Sequence, residues 1–162
     1  MGNLSDRKRA MKTRLKSFQA KLEQQLQRDF KSYSELHEYS VNNLAEFWQF
    51  LAEFFEIKFF DQPQRTLETG DHLIDTRWFN GATLSYVYEV FKHFRSDGVA
   101  IHYSDEEGNS LSVRWPSLLA KVIHYKNIFE HYGLKKGDRV AGYVLNRPDT
   151  VAAFLATNAL GA

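Results

Sequence analysis

The feature that most constrains this chain is a strand–turn–helix pattern in residues 133–162. Residues 140–145 read VAGYVL, a short apolar run between turn residues that is typical of a strand covered on both faces. Asn146 is placed to accept the amide of Asp149 as a helix N-cap, and Pro148 lies where its missing N–H costs little. Apolar side chains then recur at helical spacing, at Val151, Phe154, Leu155 and Ala159, and Ala152, Ala153 and Ala156 widen this apolar face. The pattern predicts one unit of a layered α/β fold.

This unit lacks the glycines of a phosphate-binding turn. Residues 145–149 read LNRPD, in which few amides could converge on a phosphate. The apolar helix is followed neither by a polar tail nor by another strand. We therefore expect no nucleotide site in this turn, and we expect the sequence to stop inside a domain.

Composition limits the class of protein. Of the 162 residues, 43% are hydrophobic and 15% aromatic, which suffices for one modest core. The absence of cysteine excludes disulfides and thiolate metal sites. The first thirty residues contain no continuous apolar segment of a secretion signal, and no apolar run approaches the ~20 residues of a membrane span. We expect a soluble, cytoplasmic protein without a membrane partner.

The positive charge is concentrated at the N-terminus. Residues 1–30 hold eight Lys or Arg against three acids, although the net charge of the chain is only +1. A membrane-surface or RNA-contacting helix is one interpretation of this segment. Docking of an apolar stripe on the domain is favoured, because charge runs are usually solvated faces and the stripe is narrow. The stripe consists of Met11, Leu15, Phe18, Leu22 and Leu26. We expect no nucleic-acid partner.

Two capping boxes predict two further helices. Ser32 precedes Glu35 by three residues, and Asn43 precedes Glu46 in the same way. The second helix, from Leu44 to about Phe55, carries many aromatic side chains. These could form an acyl-binding or base-stacking surface, but aromatic residues at helical spacing are more often core. We expect this helix to be sandwiched between other elements.

The middle of the chain is polar and then aromatic. Residues 61–76 show no period and predict a surface connection. Trp78 could contact a ligand, but its favoured role is to anchor this connection to the core. After the turn at Asn80 and Gly81, a helical stripe follows, consisting of Leu84, Val87, Tyr88 and Phe91.

A β-hairpin and a long helix precede the C-terminal unit. Residues 99–103 and 111–115 alternate in polarity around an acidic turn. Pro116 begins a helix for which Gly133 is the C-cap. Its expected core side chains are Leu118, Leu119, Val122, Ile123, Tyr125, Ile128 and Phe129. The order strand, helix, strand, helix predicts parallel pairing through a right-handed crossover.

No catalytic constellation emerges from the residues themselves. The six histidines lie on different elements without zinc-ligand spacing, and there is no G-x-S-x-G elbow. The acids at 105–107 could bind a cation, but such a cluster in a hairpin turn is usually solvent-facing. We name no catalytic, cofactor-binding or metal-binding residue.

Three segments in order resemble the N-terminal region of acyl-CoA synthetases of the acetyl-CoA and acetoacetyl-CoA synthetase type. They are residues 30–57 (FKSYSELHEYSVNNLAEFWQFLAEFFEI), 77–91 (RWFNGATLSYVYEVF) and 133–162. The SY-x-L…YSV…L-x-x-FW run is most similar to acetoacetyl-CoA synthetases. One departure is Leu84-Ser85-Tyr86, where the family usually has Leu-Asn-Tyr, and it puts the start of the following helix in question.

The resemblance implies an adenylate-forming ligase that uses ATP, CoA and Mg²⁺. It implies an N-terminal helical region over residues 1–95 and the start of an α/β AMP-binding domain over residues 96–162. The family's phosphate loop and catalytic lysine are not among these residues, so the chain alone is expected to be inactive and to bind no cofactor. We expect it to contact the rest of its own large domain and, alone, to self-associate. The alternative is a self-standing non-catalytic binding or regulatory module.

Overall fold

The computed structural model describes the backbone of residues 4–162 and the side chains of residues 14–162. The chain forms two compact units, Met1–Thr83 and Leu84–Ala162. Helices and small antiparallel sheets build both units, in agreement with the predicted α/β class. The expected domain division between residues 95 and 96 stays a prediction.

Three helices form the core of the first unit: α1 (Leu4–Leu26), α2 (Tyr33–Asn42) and α3 (Leu44–Phe54). The apolar stripe of α1 faces this core, as predicted, since Phe18 and Leu22 are buried and Leu26 packs against them. Leu15 remains exposed. The side chain of Met11, also assigned to the stripe, lies outside the described residues.

One predicted capping box forms and the other does not. The Ser32 hydroxyl accepts from the Glu35 amide at 3.2 Å, and the Glu35 carboxylate accepts from the Lys31 amide at 2.9 Å. At the start of α3 the predicted box is wrong, although the helix begins where expected. The side chain of Asn43 donates instead to the Tyr39 carbonyl, and the Glu46 carboxylate accepts from the Tyr39 hydroxyl. Because α2 ends directly before α3, the side chains of Asn43 and Glu46 both bond to Tyr39 of α2.

Phe18 lies at the centre of the aromatic cluster between α1 and α3. Its ring makes edge contacts with Phe50 and Phe54, both at 5.2 Å between centroids, and with Phe47 at 5.6 Å. Most of the aromatic stripe is therefore core, as favoured from the sequence. The helix is not sandwiched within its unit, because Trp48 and Phe55 are exposed.

Residues 61–76, predicted as a surface connection, are mostly exposed as expected, but they contain regular structure that their lack of a period did not signal. Four strands lie in residues 59–84, of which the second is wholly within 61–76: β1 (Phe59–Asp61), β2 (Arg65–Glu68), β3 (Arg77–Asn80) and β4 (Thr83–Leu84). A 3-10 turn, Leu73–Asp75, separates β2 from β3. Strands β2 and β3 pair in antiparallel register, with Leu67 opposite Trp78. Backbone pairing stabilises these strands although their residues show no polarity period.

The second unit contains α4 (Tyr86–Phe91), β5 (Val99–Ser104), β6 (Ser110–Arg114), α5 (Trp115–His131) and α6 (Pro148–Leu160). The hydroxyl of Ser85 accepts from the Tyr88 amide, so serine caps α4 at the position where the resembling family has asparagine. Strands β5 and β6 form the predicted hairpin. Gly133 has a φ of 86° and ends α5, as predicted. Trp115 begins α5 rather than ending the strand.

The core of the second unit lies between the hairpin, α5 and α6. Its buried members are Val113, Leu118, Val122, Ala152, Leu155 and Ala156. Of the apolar face predicted for α6, Ala152, Leu155 and Ala156 are buried as expected, whereas Val151 and Phe154 are exposed. Ile123 of α5, also predicted to be core, is 49% exposed. Close packing of α6 on α5 selects the small side chains of α6.

The predicted strand at residues 140–145 does not form in the described part of the chain. These residues have no regular secondary structure and pair with no strand, and the described sheet of this unit is the hairpin, so the predicted parallel crossover is absent there. The predicted cap is also displaced. Arg147 is the N-cap of α6, without a side-chain hydrogen bond, and Pro148 occupies the first turn as expected. The Thr150 hydroxyl donates to the Leu145 carbonyl at 2.6 Å.

Replacement of Phe18 by alanine tests the aromatic cluster. Because Phe18 is 6% exposed and touches three rings, F18A is expected to lower the free energy of unfolding by about 3–5 kcal/mol. The control is I74A, at a side chain that is 91% exposed, with an expected change within about 0.5 kcal/mol. Urea unfolding followed by circular dichroism measures both. Equal losses in the two variants would contradict the central role of Phe18.

The ion pair between Lys121 and Asp149 gives stability a defined pH dependence. The ammonium of Lys121 lies 2.5 Å from the carboxylate and, as the main cause, holds the pKa of Asp149 below its usual value. The stabilisation is thus present above the unfolded-state pKa, about 3.9, and is lost as pH falls through the lower folded-state pKa. Both side chains are more than a third exposed, so the pair contributes at most about 1 kcal/mol at pH 7.

We therefore expect D149N to be less stable than the native chain at neutral pH and equally stable in strong acid. Thermal unfolding over a series of pH values measures this difference. E106Q, in the hairpin turn, is the control variant, and its stability difference from the native chain should not follow the same profile. A difference for D149N that is constant with pH would refute the ion-pair account.

Candidate functional site

The described residues offer no assembled catalytic or metal centre. No group of three or more His, Asp or Glu side chains in residues 14–162 could hold a metal ion. The histidines whose contacts are resolved serve local packing. His102 contacts the Ser112 hydroxyl across the hairpin, and the ring of His131 lies against Tyr132. That the chain carries no catalytic, cofactor-binding or metal-binding residue stays a prediction.

The acidic hairpin turn is organised by its own side chains. One carboxylate oxygen of Asp105 accepts from the amides of Asn109 and Glu107, at 2.8 and 3.1 Å. The Asn109 side chain donates to the other oxygen at 3.0 Å and is the main cause of a lowered pKa at Asp105. Asp105 thus closes the turn, and these hydrogen bonds account for the lowered pKa of its carboxyl.

A large exposed apolar surface lies in the second unit, around the extended residues 139–146. Val144 is 65% exposed, and Val140, Tyr143 and Leu145 are exposed as well. The amides of these residues meet no backbone acceptor within the described chain. A cleft of about 450 Å³ separates the segment from α6, and the exposed ring of Phe154 lines it. We call residues 139–146 together with Val151 and Phe154 the open face.

The open face combines the two features of a strand-docking site. Unpaired backbone donors and acceptors form a template for another strand. Apolar side chains on both sides of the segment would be covered if the segment were inside a sheet. The sequence has the pattern of a buried strand here, whereas the described segment is exposed and pairs with no strand. The chemistry available to the open face is therefore association.

A second apolar surface, the α1–α3 cleft, lies in the first unit. It encloses about 330 Å³ between α1, α2 and α3, and aromatic and leucine side chains form most of its wall. Phe18 and Phe54 form its base, and Arg14 and His37 also contribute to the wall. The sequence signalled the aromatic face of α3 but not the cleft, because the cleft depends on the angle between helices.

The hydropathy of the described helices bears on whether one of them could span a membrane. None of the helices in that part of the chain is long and apolar enough to cross a membrane. The aromatic content of α3 is interrupted by Glu46 and Glu53 and serves the interior of its unit.

Comparisons with known proteins agree with the resemblance in the sequence. Residues 33–90 match the family model described as acetyl-coenzyme A synthetase N-terminus. An acetoacetyl-CoA synthetase from Xenopus tropicalis is 31% identical over 93% of this chain and 23% of its own length. One from Rhizobium meliloti is 30% identical over 83% of this chain and 20% of its own length.

The fold is matched as well as the sequence. The structure of acetoacetyl-CoA synthetase from Streptomyces lividans superposes with a TM-score of 0.81 and 35% identity, covering 91% of this chain and 23% of that one. The chain thus spans less than a quarter of the length of the relatives it matches. In sequence and in fold, this chain matches the N-terminal portion of acyl-CoA synthetases of the acetoacetyl-CoA synthetase type.

Proposed function

We propose that this chain is the opening segment of an ATP-dependent acid–CoA ligase that converts acetoacetate to acetoacetyl-CoA. The observation that carries the proposal is the match of sequence and fold over 91% of the chain to an acetoacetyl-CoA synthetase. The proposal includes an N-terminal helical region over residues 1–95, the start of the AMP-binding domain over residues 96–162, and a cytoplasmic location.

The proposed reaction has two steps. A carboxylate oxygen of acetoacetate attacks the α-phosphorus of ATP, and diphosphate leaves. The thiol of CoA then attacks the acyl carbon, and AMP leaves. Mg²⁺ and cationic groups would stabilise the charge on the phosphates. We assign this chemistry to residues elsewhere in the parent protein, because the phosphate loop and the lysine that the family resemblance implies are not among these 162 residues.

The part assigned to this chain is to supply packed elements for the large domain. The open face is the surface that would receive the remainder of that domain, with residues 139–146 paired as a strand inside the completed sheet. Exposure of Val144 and Phe154 in the isolated chain supports this role, because in a complete domain such side chains would be buried.

A chimera tests the proposed function. This chain would replace the matching 23% of the Streptomyces lividans protein, with acetoacetate-dependent diphosphate release as the assay. The chimera is expected to be active and the 162-residue chain alone inactive. V144D in the chimera should lower the yield of active enzyme at least about tenfold through an unpaired buried charge, whereas V144I should retain it. A folded chimera without activity would refute the ligase assignment.

The isolated chain is expected to self-associate through the open face. Its unpaired backbone and apolar side chains favour strand pairing between copies at micromolar concentration. Sedimentation velocity should show oligomers of the native chain, mostly monomer for V144D, and oligomers again for V144I. A monomeric native chain at these concentrations would instead favour a self-standing module.

A further inference from the structure

The α1–α3 cleft has a use that the proposed ligase chemistry does not require. The cleft volume, about 330 Å³, lies near the lower end of the ~300–1,000 Å³ typical of small-molecule sites. Its apolar lining includes Leu36, Phe47, Leu51 and Phe54. An occupant must therefore be small and must bury hydrocarbon.

The polar groups of the cleft are few and none is acidic. Arg14, Tyr33, His37 and Ser40 are its described polar lining residues, and no described Asp or Glu lines it. The Ser40 hydroxyl already donates to the His37 carbonyl at 2.7 Å. The rings of Tyr33 and His37 lie against each other at 6.3 Å. Among the described lining residues, Arg14 thus carries the permanent charge, and it is positive.

A further cation lies beside the aromatic wall. The ammonium of Lys21 sits 5.3 Å from the centroid of Phe54, a ring that also lines the cleft. The cationic side of α1 and the apolar interior are therefore adjacent. Charge complementarity selects an anionic occupant over a neutral or cationic one.

We propose that the α1–α3 cleft binds one unbranched acyl chain with a carboxylate head, in other words a fatty acid anion. The hydrocarbon lies against Phe18, Leu51 and Phe54, and the carboxylate pairs with Arg14. A protein helix is disfavoured as occupant, because a helix with side chains measures about 10–12 Å across and would need a wider groove.

Calorimetric titration of the full 162-residue chain with decanoate and with decanol, both below their aggregation limits, tests the proposal. Both probes present the same hydrocarbon, so their difference reports the carboxylate. Decanoate should bind about fivefold more tightly than decanol, as an exposed ion pair allows. R14Q should abolish this preference while still binding decanol, which shows that the variant is folded. K16Q, which removes an exposed charge of the same helix, should retain it.

Filling the cleft gives an independent test. S40L places a larger side chain in the cleft wall and should weaken binding of both probes by about tenfold or more. Equal affinities of decanoate and decanol for the native chain would overturn the proposal, as would indistinguishable results for R14Q and K16Q. Absence of binding by either probe would also overturn it and would assign the cleft to another segment of the parent protein. The assay contains neither ATP nor CoA, so its outcome is independent of the ligase activity.

Discussion

The second unit depends on how α6 distributes its apolar surface. The helix is apolar around most of its circumference, yet only the side bearing Ala152, Leu155 and Ala156 is buried. A helix with apolar residues on all sides is stable in water when a second layer covers the remaining side. Val151 and Phe154 therefore require a second layer, and residues 139–146 lie beside the same cleft. The same additional layer would bury the ring of Phe154 and supply backbone partners for residues 139–146.

In the first unit, the core is formed by contacts between α1, α2 and α3. Phe18 inserts between three rings of α3, and Phe30 packs on Tyr39 at 5.4 Å. The loop after α1 is fixed by Glu23, whose carboxylate accepts from the Phe30 amide at 2.7 Å. A hydrogen bond from Gln19 is the main cause of the lowered pKa at Glu23.

The sequence predicted features that depend on local geometry and missed those that depend on distant residues. Ser32 caps α2 because its partner is three residues away, whereas the Asn43 box failed because α2 ends beside it. Glycine marks the end of α5 at residue 133. Gln27 and Glu56 end α1 and α3 with positive φ values of 52° and 53°, and these residue types gave no signal.

The features that the sequence did not predict depend on residues distant in the chain. Strands β2 and β3 are paired through backbone groups, so their side chains need not alternate in polarity. The predicted apolar face of α6 is right at Ala152 and Ala156, whose small side chains pack closely on α5, and wrong at Phe154, which is exposed. The resemblance to acyl-CoA synthetases could be recognised from the sequence because three motifs occur in a fixed order. The α1–α3 cleft could not be predicted, because an aromatic stripe on one helix does not specify the space between that helix and its neighbours.

The two apolar surfaces differ in what can cover them. The open face carries a row of backbone amides without acceptors in the described chain, so its occupant must supply backbone partners as well as hydrocarbon. Another polypeptide strand satisfies both demands. The wall of the α1–α3 cleft is helical, and most of its backbone groups are bonded within helices, so hydrocarbon alone suffices there. The cation at Arg14 then determines the head group, which is why a protein segment fits the first surface and an acyl anion fits the second.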